Sequence, residues 1–147
     1  MALKLSTGLK NELLAQNSLR EAMGGATGFH IDIYSGTRPS SPDNVPNGTK
    51  LVTVSDDGGA GGLTLETSAS NGTIQKTSGQ TWSGTVVASG VAGWFRARLT
   101  TDTGTGASTT ELRIDGIVGA SGADLNMTTT SMTVDEEYTT TSAQFRF

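Results

Sequence analysis

The sequence predicts an all-β fold, an antiparallel, jelly-roll-like β-sandwich with a short N-terminal helix. The chain is rich in Thr and Ser and has 20 glycines with 34% apolar residues, a composition typical of many short strands joined by tight turns. After residue 28, segments of alternating apolar and polar side chains recur at near-regular spacing. At 147 residues we expect a single domain over 1–147, with an arm and helix in 1–25 and the sandwich in 26–147.

Helical signals are confined to residues 6–23. Ser6 or Thr7 can cap a first helix, because a hydroxyl oxygen accepts a free N–H of the first turn. The apolar face of this helix is predicted to contain Leu9, Leu13 and Leu14. A second short helix begins at Ser18, which has capping-box spacing to Glu21, and the glycines at 24 and 25 end it.

Strands are predicted from Phe29 onward. In FHIDIYS the apolar residues Phe29, Ile31 and Ile33 face one way and the polar ones the other. A long loop over 35–49 holds all three prolines, and Asn71-Gly72 predicts a hairpin turn. The later strands are expected within KLVTVS, LTLETS, TIQK, TWSGTVVAS, GWFRARLT, ELRIDGIVG, DLNMTT, SMTVDE and YTTTSAQFRF.

Composition argues against several classes of function. The net charge of −4 and the pI of about 4.8 argue against a nucleic-acid partner. The chain has no cysteine for a disulfide or thiolate metal site, and no apolar run of the ~20 residues that a membrane-spanning helix needs. We interpret the single histidine, His30, as structural, and we expect no enzyme activity, no cofactor and no metal. Carboxylate pairs at Asp56-Asp57 and within 135–137 stay open as candidates for acid–base chemistry or incidental calcium.

The aromatic residues and two arginines of one segment are the candidates for recognition. Trp82 and Phe95 are predicted to lie in the core. Trp94, Arg96 and Arg98 share the opposite face of their strand, and both an exposed surface and a protein–protein contact are open for them. In the N-terminal arm, Leu3 and Leu5 alternate with a lysine. The arm either docks on a neighbouring subunit or packs on its own domain, so Leu3 and Leu5 are also candidate interaction residues.

Several segments, in one order along the chain, resemble a family of small virion proteins of tailed bacteriophages. They are LKLSTGLKNELL, IDIYSGTRPSSPD, QTWSGTVVASGVAGWFRARLTTDTG and RIDGIVGASGADLNM, which together run from the N-terminal helix to about Met127. The resemblance implies a structural protein of the head or neck without chemistry of its own, assembled into the virion in the host cytoplasm. Its leading form is a capsid decoration (cement) protein, with the major capsid protein or other virion proteins and further copies of itself as partners. A tail or neck accessory and a host-surface carbohydrate-binding module, with Trp94 in a shallow site, are the alternatives, and a hydrolase that uses a carboxylate pair is a more remote one.

Overall fold

A computed structural model of the chain describes residues 2–140 and 142–147 and gives them two helices and twelve strands. The helices are α1 (Thr7–Ala15) and α2 (Leu19–Ala22). The strands are β1 (Lys4–Leu5), β2 (Phe29–Ser35), β3 (Lys50–Asp56), β4 (Leu65–Ser70), β5 (Thr73–Lys76), β6 (Trp82–Thr85), β7 (Gly90–Leu99), β8 (Arg113–Gly119), β9 (Leu125–Asn126), β10 (Ser131–Met132), β11 (Glu137–Thr140) and β12 (Gln144–Arg146).

The strands form one large and one small sheet. The large sheet has the order β1-β8-β7-β2-β3-β6-β11, with β10 beside the start of β7 and β9 beside the end of β8. The small sheet has the order β12-β5-β4, and its β4–β5 hairpin turns at Asn71-Gly72, both with positive φ. All strand pairs are antiparallel except β8 with β9. The predicted all-β, sandwich-like fold with a short N-terminal helix is therefore confirmed.

Both helices start at the predicted serine caps. The Ser6 side chain accepts the Leu9 N–H, and the Ser18 side chain accepts the N–H of Glu21. The predicted apolar face of α1 is wrong at Leu14, whose exposed fraction is 87%. Leu9 and Leu13, four residues apart, already share the face that meets the sheet, and the next residue lies about 100° further round. Neither described helix is long and apolar enough to cross a membrane.

The apolar core lies between the two sheets. Phe145 of the small sheet lies 5.9 Å from Phe29 and 6.4 Å from Phe95 of the large sheet, measured between ring centroids. The Trp82 ring meets Phe29 edge-on at 5.7 Å. Trp82 and Phe95 are both buried, which confirms their predicted place in the core.

The N-terminal arm packs on its own domain. Lys4 and Leu5 extend the large sheet by pairing with Asp115 and Ile114 of β8, and Leu3 and Leu5 pack against the core. The Arg38 guanidinium donates to the Ala2 carbonyl, 2.9 Å away, and so holds the start of the arm. Of the two alternatives for Leu3 and Leu5, the structure shows the one in which they pack on the domain itself.

Candidate functional site

A row of charged side chains covers the face of the large sheet that points away from the apolar core. In β7, Trp94, Arg96 and Arg98 alternate with core residues and so share this face. The strand register sets Arg96 between Asp32 of β2 and Asp115 of β8. The face therefore places Arg96 beside an acidic residue on each of its two neighbouring strands.

Three arginine–aspartate pairs form on this face, which we call the charged core: Arg96–Asp115, Arg98–Asp32 and Arg113–Asp102. In each pair the arginine donates from both Nε and Nη2 to both carboxylate oxygens. The Nε–oxygen distances are 2.8, 2.6 and 2.6 Å, and the Nη2–oxygen distances are 2.8, 3.2 and 2.9 Å, in the same order. Such two-point contacts match the planar guanidinium to the carboxylate and fix its orientation.

Two long loops, residues 36–49 and 100–112, cover the charged core, and we call them the roof loops. The third nitrogen of Arg96, Nη1, donates to the Asn44 carbonyl at 3.0 Å and to the Gly104 carbonyl at 3.1 Å. One buried side chain therefore joins both roof loops to the sheet.

The other two arginines hold the roof loops in the same way. Arg113 Nη1 donates to the carbonyls of Pro42 at 3.3 Å and Gly106 at 2.8 Å. Arg98 Nη1 donates to the carbonyl of Asp102, the residue whose side chain pairs with Arg113. Backbone carbonyls that would otherwise need water are thus satisfied by the charged core.

Gly104, in the roof loop 100–112, packs tightly against Arg98. Its φ is +72°, and a Cβ at this position would lie 2.6 Å from Cδ of Arg98. Its N–H donates to the Asp102 carboxylate at 2.8 Å. Both the backbone conformation and the space therefore require glycine here.

The expected exposure of Trp94, Arg96 and Arg98 is wrong. Trp94 and Arg96 are fully buried, and Arg98 is 7% exposed. The Trp94 ring stacks on Tyr34 at 4.6 Å, its Nε1 donates to the Asn47 carbonyl, and Arg96 lies over its ring. The roof loops cover a face that alternation alone assigns to solvent, so these residues lie in the interior of the chain's own fold.

The pKa values of two carboxylates in the charged core, Asp115 and Asp102, shift in opposite directions. Burial raises the pKa of Asp115 against the opposing effect of the Arg96 hydrogen bonds. Burial would also raise the pKa of Asp102, but the hydrogen bonds from Arg113 and Gly104 and the nearby arginine charges hold it below the ordinary value. With both oxygens of each carboxylate already engaged by an arginine, the arrangement serves to cross-link the fold rather than to transfer protons.

His30 lies at the margin of the charged core, opposite Arg98 in the strand register. Its Nε2 is buried and has no hydrogen-bond partner within the described residues. Burial, followed by the positive charge of Arg98, lowers the pKa of the imidazole, although the backbone at Gly61 and Ala60 acts in the opposite direction.

The two acidic segments left open by the sequence do not meet. Asp56 pairs with Trp82 at the start of β6, whereas Glu137 pairs with Thr85 at its end. Within residues 2–140 and 142–147, no three histidine or carboxylate side chains come together as a group that could hold a metal ion.

Sequence reasoning missed four members of the charged core: Asp32, Asp102, Arg113 and Asp115. A signal for three of them was present, because IDI places Asp32, and RID places Arg113 and Asp115, within strand segments rich in apolar residues. Charges of opposite sign on neighbouring strands are typical of paired, buried groups.

Comparisons of the chain with protein-family models, with curated proteins and with solved structures find no match in any of the three sets.

Proposed function

We propose that this chain is a structural component of a tailed-bacteriophage virion, a decoration protein that binds neighbouring capsid subunits. The observation that carries the proposal is where the resembling segments lie in the fold. IDIYSG supplies Asp32, GWFRARL supplies Arg96 and Arg98, and RIDG supplies Arg113 and Asp115. Segments far apart in the chain thus meet in one charged core of this domain, and this placement supports the proposal.

The use of charge in this domain supports a structural role. The charged core fixes two long surface loops to the sheet, and loops of this kind are ordinarily the mobile parts of a domain. A shell component must keep its shape while it is held by several neighbours at once. Modest contacts then suffice for tight attachment, because many copies bind together.

The geometry does not support the shallow Trp94 site of the carbohydrate-binding alternative. Sugar sites use exposed aromatic faces, but Trp94 is stacked and covered by a roof loop, and Trp82 is buried between the sheets. The fold is compatible with a position on the head and with a position at the neck of the particle. The number of copies of this chain in each particle distinguishes the two positions.

The test is to purify the particles of the phage that encodes this chain and to measure its copy number by quantitative mass spectrometry. A copy number similar to that of the major capsid protein supports decoration. A small number of copies per particle would place the chain at the neck or tail, and its absence from purified particles would overturn the proposal. Particles that lack the gene product, mixed with the purified chain, should then take it up on the capsid surface when viewed by electron microscopy.

A further inference from the structure

Two Asn-Gly dipeptides lie on the surface of the domain. Asn47-Gly48 belongs to the roof loop 36–49, and Asn71-Gly72 forms the tip of the β4–β5 hairpin. All four residues are exposed, and both glycines have positive φ. An asparagine before a glycine loses its side-chain nitrogen more readily than other asparagines, because glycine has no Cβ to shield its backbone nitrogen from the neighbouring side chain. Exposure does not distinguish the two sites, so a difference between them depends on how each backbone is held.

The roof loop holds Asn47 by its side chain and by its backbone. The side-chain amide donates to the Thr37 carbonyl at 3.3 Å, and the Asn47 carbonyl accepts a hydrogen bond from Nε1 of the buried Trp94 at 3.3 Å. Gly48 packs so closely on Ser35 that an added Cβ would lie 2.0 Å from the Ser35 carbonyl oxygen. The peptide that joins Asn47 to Gly48 is therefore fixed against rotation by its contacts with the strands β2 and β7.

The hairpin tip holds Asn71 by fewer contacts. Next to the turn, two residue pairs join β4 to β5 before the register becomes irregular, and residues 67–70 of β4 are exposed. The Gly72 carbonyl accepts the Phe147 N–H at 3.0 Å, but this bond lies beyond the peptide that joins Asn71 to Gly72. The exposed end of a short hairpin opens at a low free-energy cost, so the backbone of Asn71 can rotate.

We propose that Asn71 is a site of spontaneous deamidation and that the roof loop protects Asn47, which stands in the same dipeptide. The backbone nitrogen of Gly72 loses its proton to a solvent base and attacks Cγ of Asn71. The new bond between this nitrogen and Cγ closes a cyclic imide, a succinimide. As it closes, the bond from Cγ to Nδ2 breaks, and the side-chain nitrogen takes up a proton and leaves as ammonia.

The bond that water then breaks determines the product at position 71. Water adds to one of the two ring carbonyls, and the Gly72 nitrogen regains a proton as the ring opens. Opening at Cγ gives aspartate, whereas opening at the main-chain carbonyl gives isoaspartate, whose backbone runs through the former side chain and is one carbon longer. Either product adds one negative charge to a chain of net charge −4. Isoaspartate does not fit a two-residue turn, so the hydrogen bond from Phe147 to Gly72 should weaken.

The experiment uses the purified full-length chain, incubated in mildly alkaline buffer below its Tm and sampled over time by peptide mapping. Mass spectrometry detects the conversion of amide to acid, and chromatography separates the isoaspartate peptide from the aspartate peptide. In the folded chain, Asn71 should convert at least about tenfold faster than Asn47. The rate at Asn71 should rise with pH, because the attacking nitrogen must first lose its proton. In guanidinium chloride, which unfolds the chain, the two sites should convert at similar rates.

Asn71→Gly is the matched variant, because Gly-Gly also suits a turn with positive φ at both positions. Its hairpin peptide should show no conversion, while Asn47 should convert at its wild-type rate. Wild-type chain modified at position 71, isolated by anion exchange, should exchange amide hydrogens faster than unmodified chain within residues 65–76.

Three results would overturn the proposal: no conversion at Asn71, a rate at Asn47 equal to or above that at Asn71 in the folded chain, or a difference of the same size after unfolding. Unchanged hydrogen exchange in the modified hairpin would contradict the predicted loss of the turn. No particle and no partner enter this experiment, so its outcome is independent of the proposed role in a virion.

Discussion

At the scale of single residues, Arg96 has the largest predicted effect on stability. Its guanidinium is fully buried and holds Asp115 and both roof loops, so Arg96→Ala leaves a buried carboxylate and two loop carbonyls without their donor. Losing one partner of a buried pair costs about 3–5 kcal/mol, a large part of the stability of a domain. In urea unfolding, this loss of stability should lower the urea concentration at the midpoint of the transition.

Replacing both partners separates the ion pair from the loop contacts. In Arg96→Met with Asp115→Leu no charge is left unpaired, so we expect the double variant to recover part of the loss. It should not recover all of it, because the carbonyls of Asn44 and Gly104 still lack a donor. A double variant no more stable than Arg96→Ala would show that the carboxylate contributes nothing to the penalty.

His30 predicts a pH dependence of stability. Its pKa is lowered from 6.5 in the folded protein, so the folded state binds a proton less readily than the unfolded state. Stability is therefore unaffected above pH 6.5 and decreases as the pH falls below that value. Tm measured across this range should decline in wild type and decline less in His30→Asn. Superimposable pH curves for the two proteins would contradict the assignment.

At the scale of elements, the arm β1 is predicted to stabilise the domain. Deleting residues 2–5 removes the pairing with β8 and two partly buried leucines, a loss of about 1–3 kcal/mol. Differential scanning calorimetry should show a lower Tm. Leu14→Lys is the control, because it changes a leucine that is exposed on α1 and should leave Tm nearly unchanged. A deletion that melts as wild type does would place the arm outside the domain's stabilising contacts.

Local signals account for which elements could be predicted. The serine caps, the Asn71-Gly72 turn and the alternation of β2 and β7 depend on neighbours in sequence, and the structure confirms each. The roof loops depend on contacts such as that between Arg96 and Asn44, which are 52 residues apart. Alternation marks the two faces of a strand but does not show what covers them, so the burial of Arg96 could not be predicted from it.

At the scale of the whole molecule, the large sheet separates two interiors of different chemistry. One side is an ordinary apolar core, and the other is the charged core beneath the roof loops. The roof loops are also joined to each other, since the Ser108 N–H donates to the Asp43 carbonyl at 2.8 Å. The large sheet is thus covered on both faces.

The attachment of the roof loops determines where this chain tolerates additional sequence. Lengthening a loop costs little in itself, about 0.6 kcal/mol for each doubling, and long loops are the usual sites for a tag or a displayed peptide. Here an insertion between Asn44 and Val45 would pull carbonyls away from a buried arginine, whereas the short turn at Ser121-Gly122 is exposed and has open space around the glycine. A flexible Gly/Ser segment of about ten residues should therefore leave Tm near the wild-type value at Ser121-Gly122 and lower it markedly at Asn44-Val45. The longest loops of the molecule are its least suitable sites for display, and a shorter, exposed turn is the better choice.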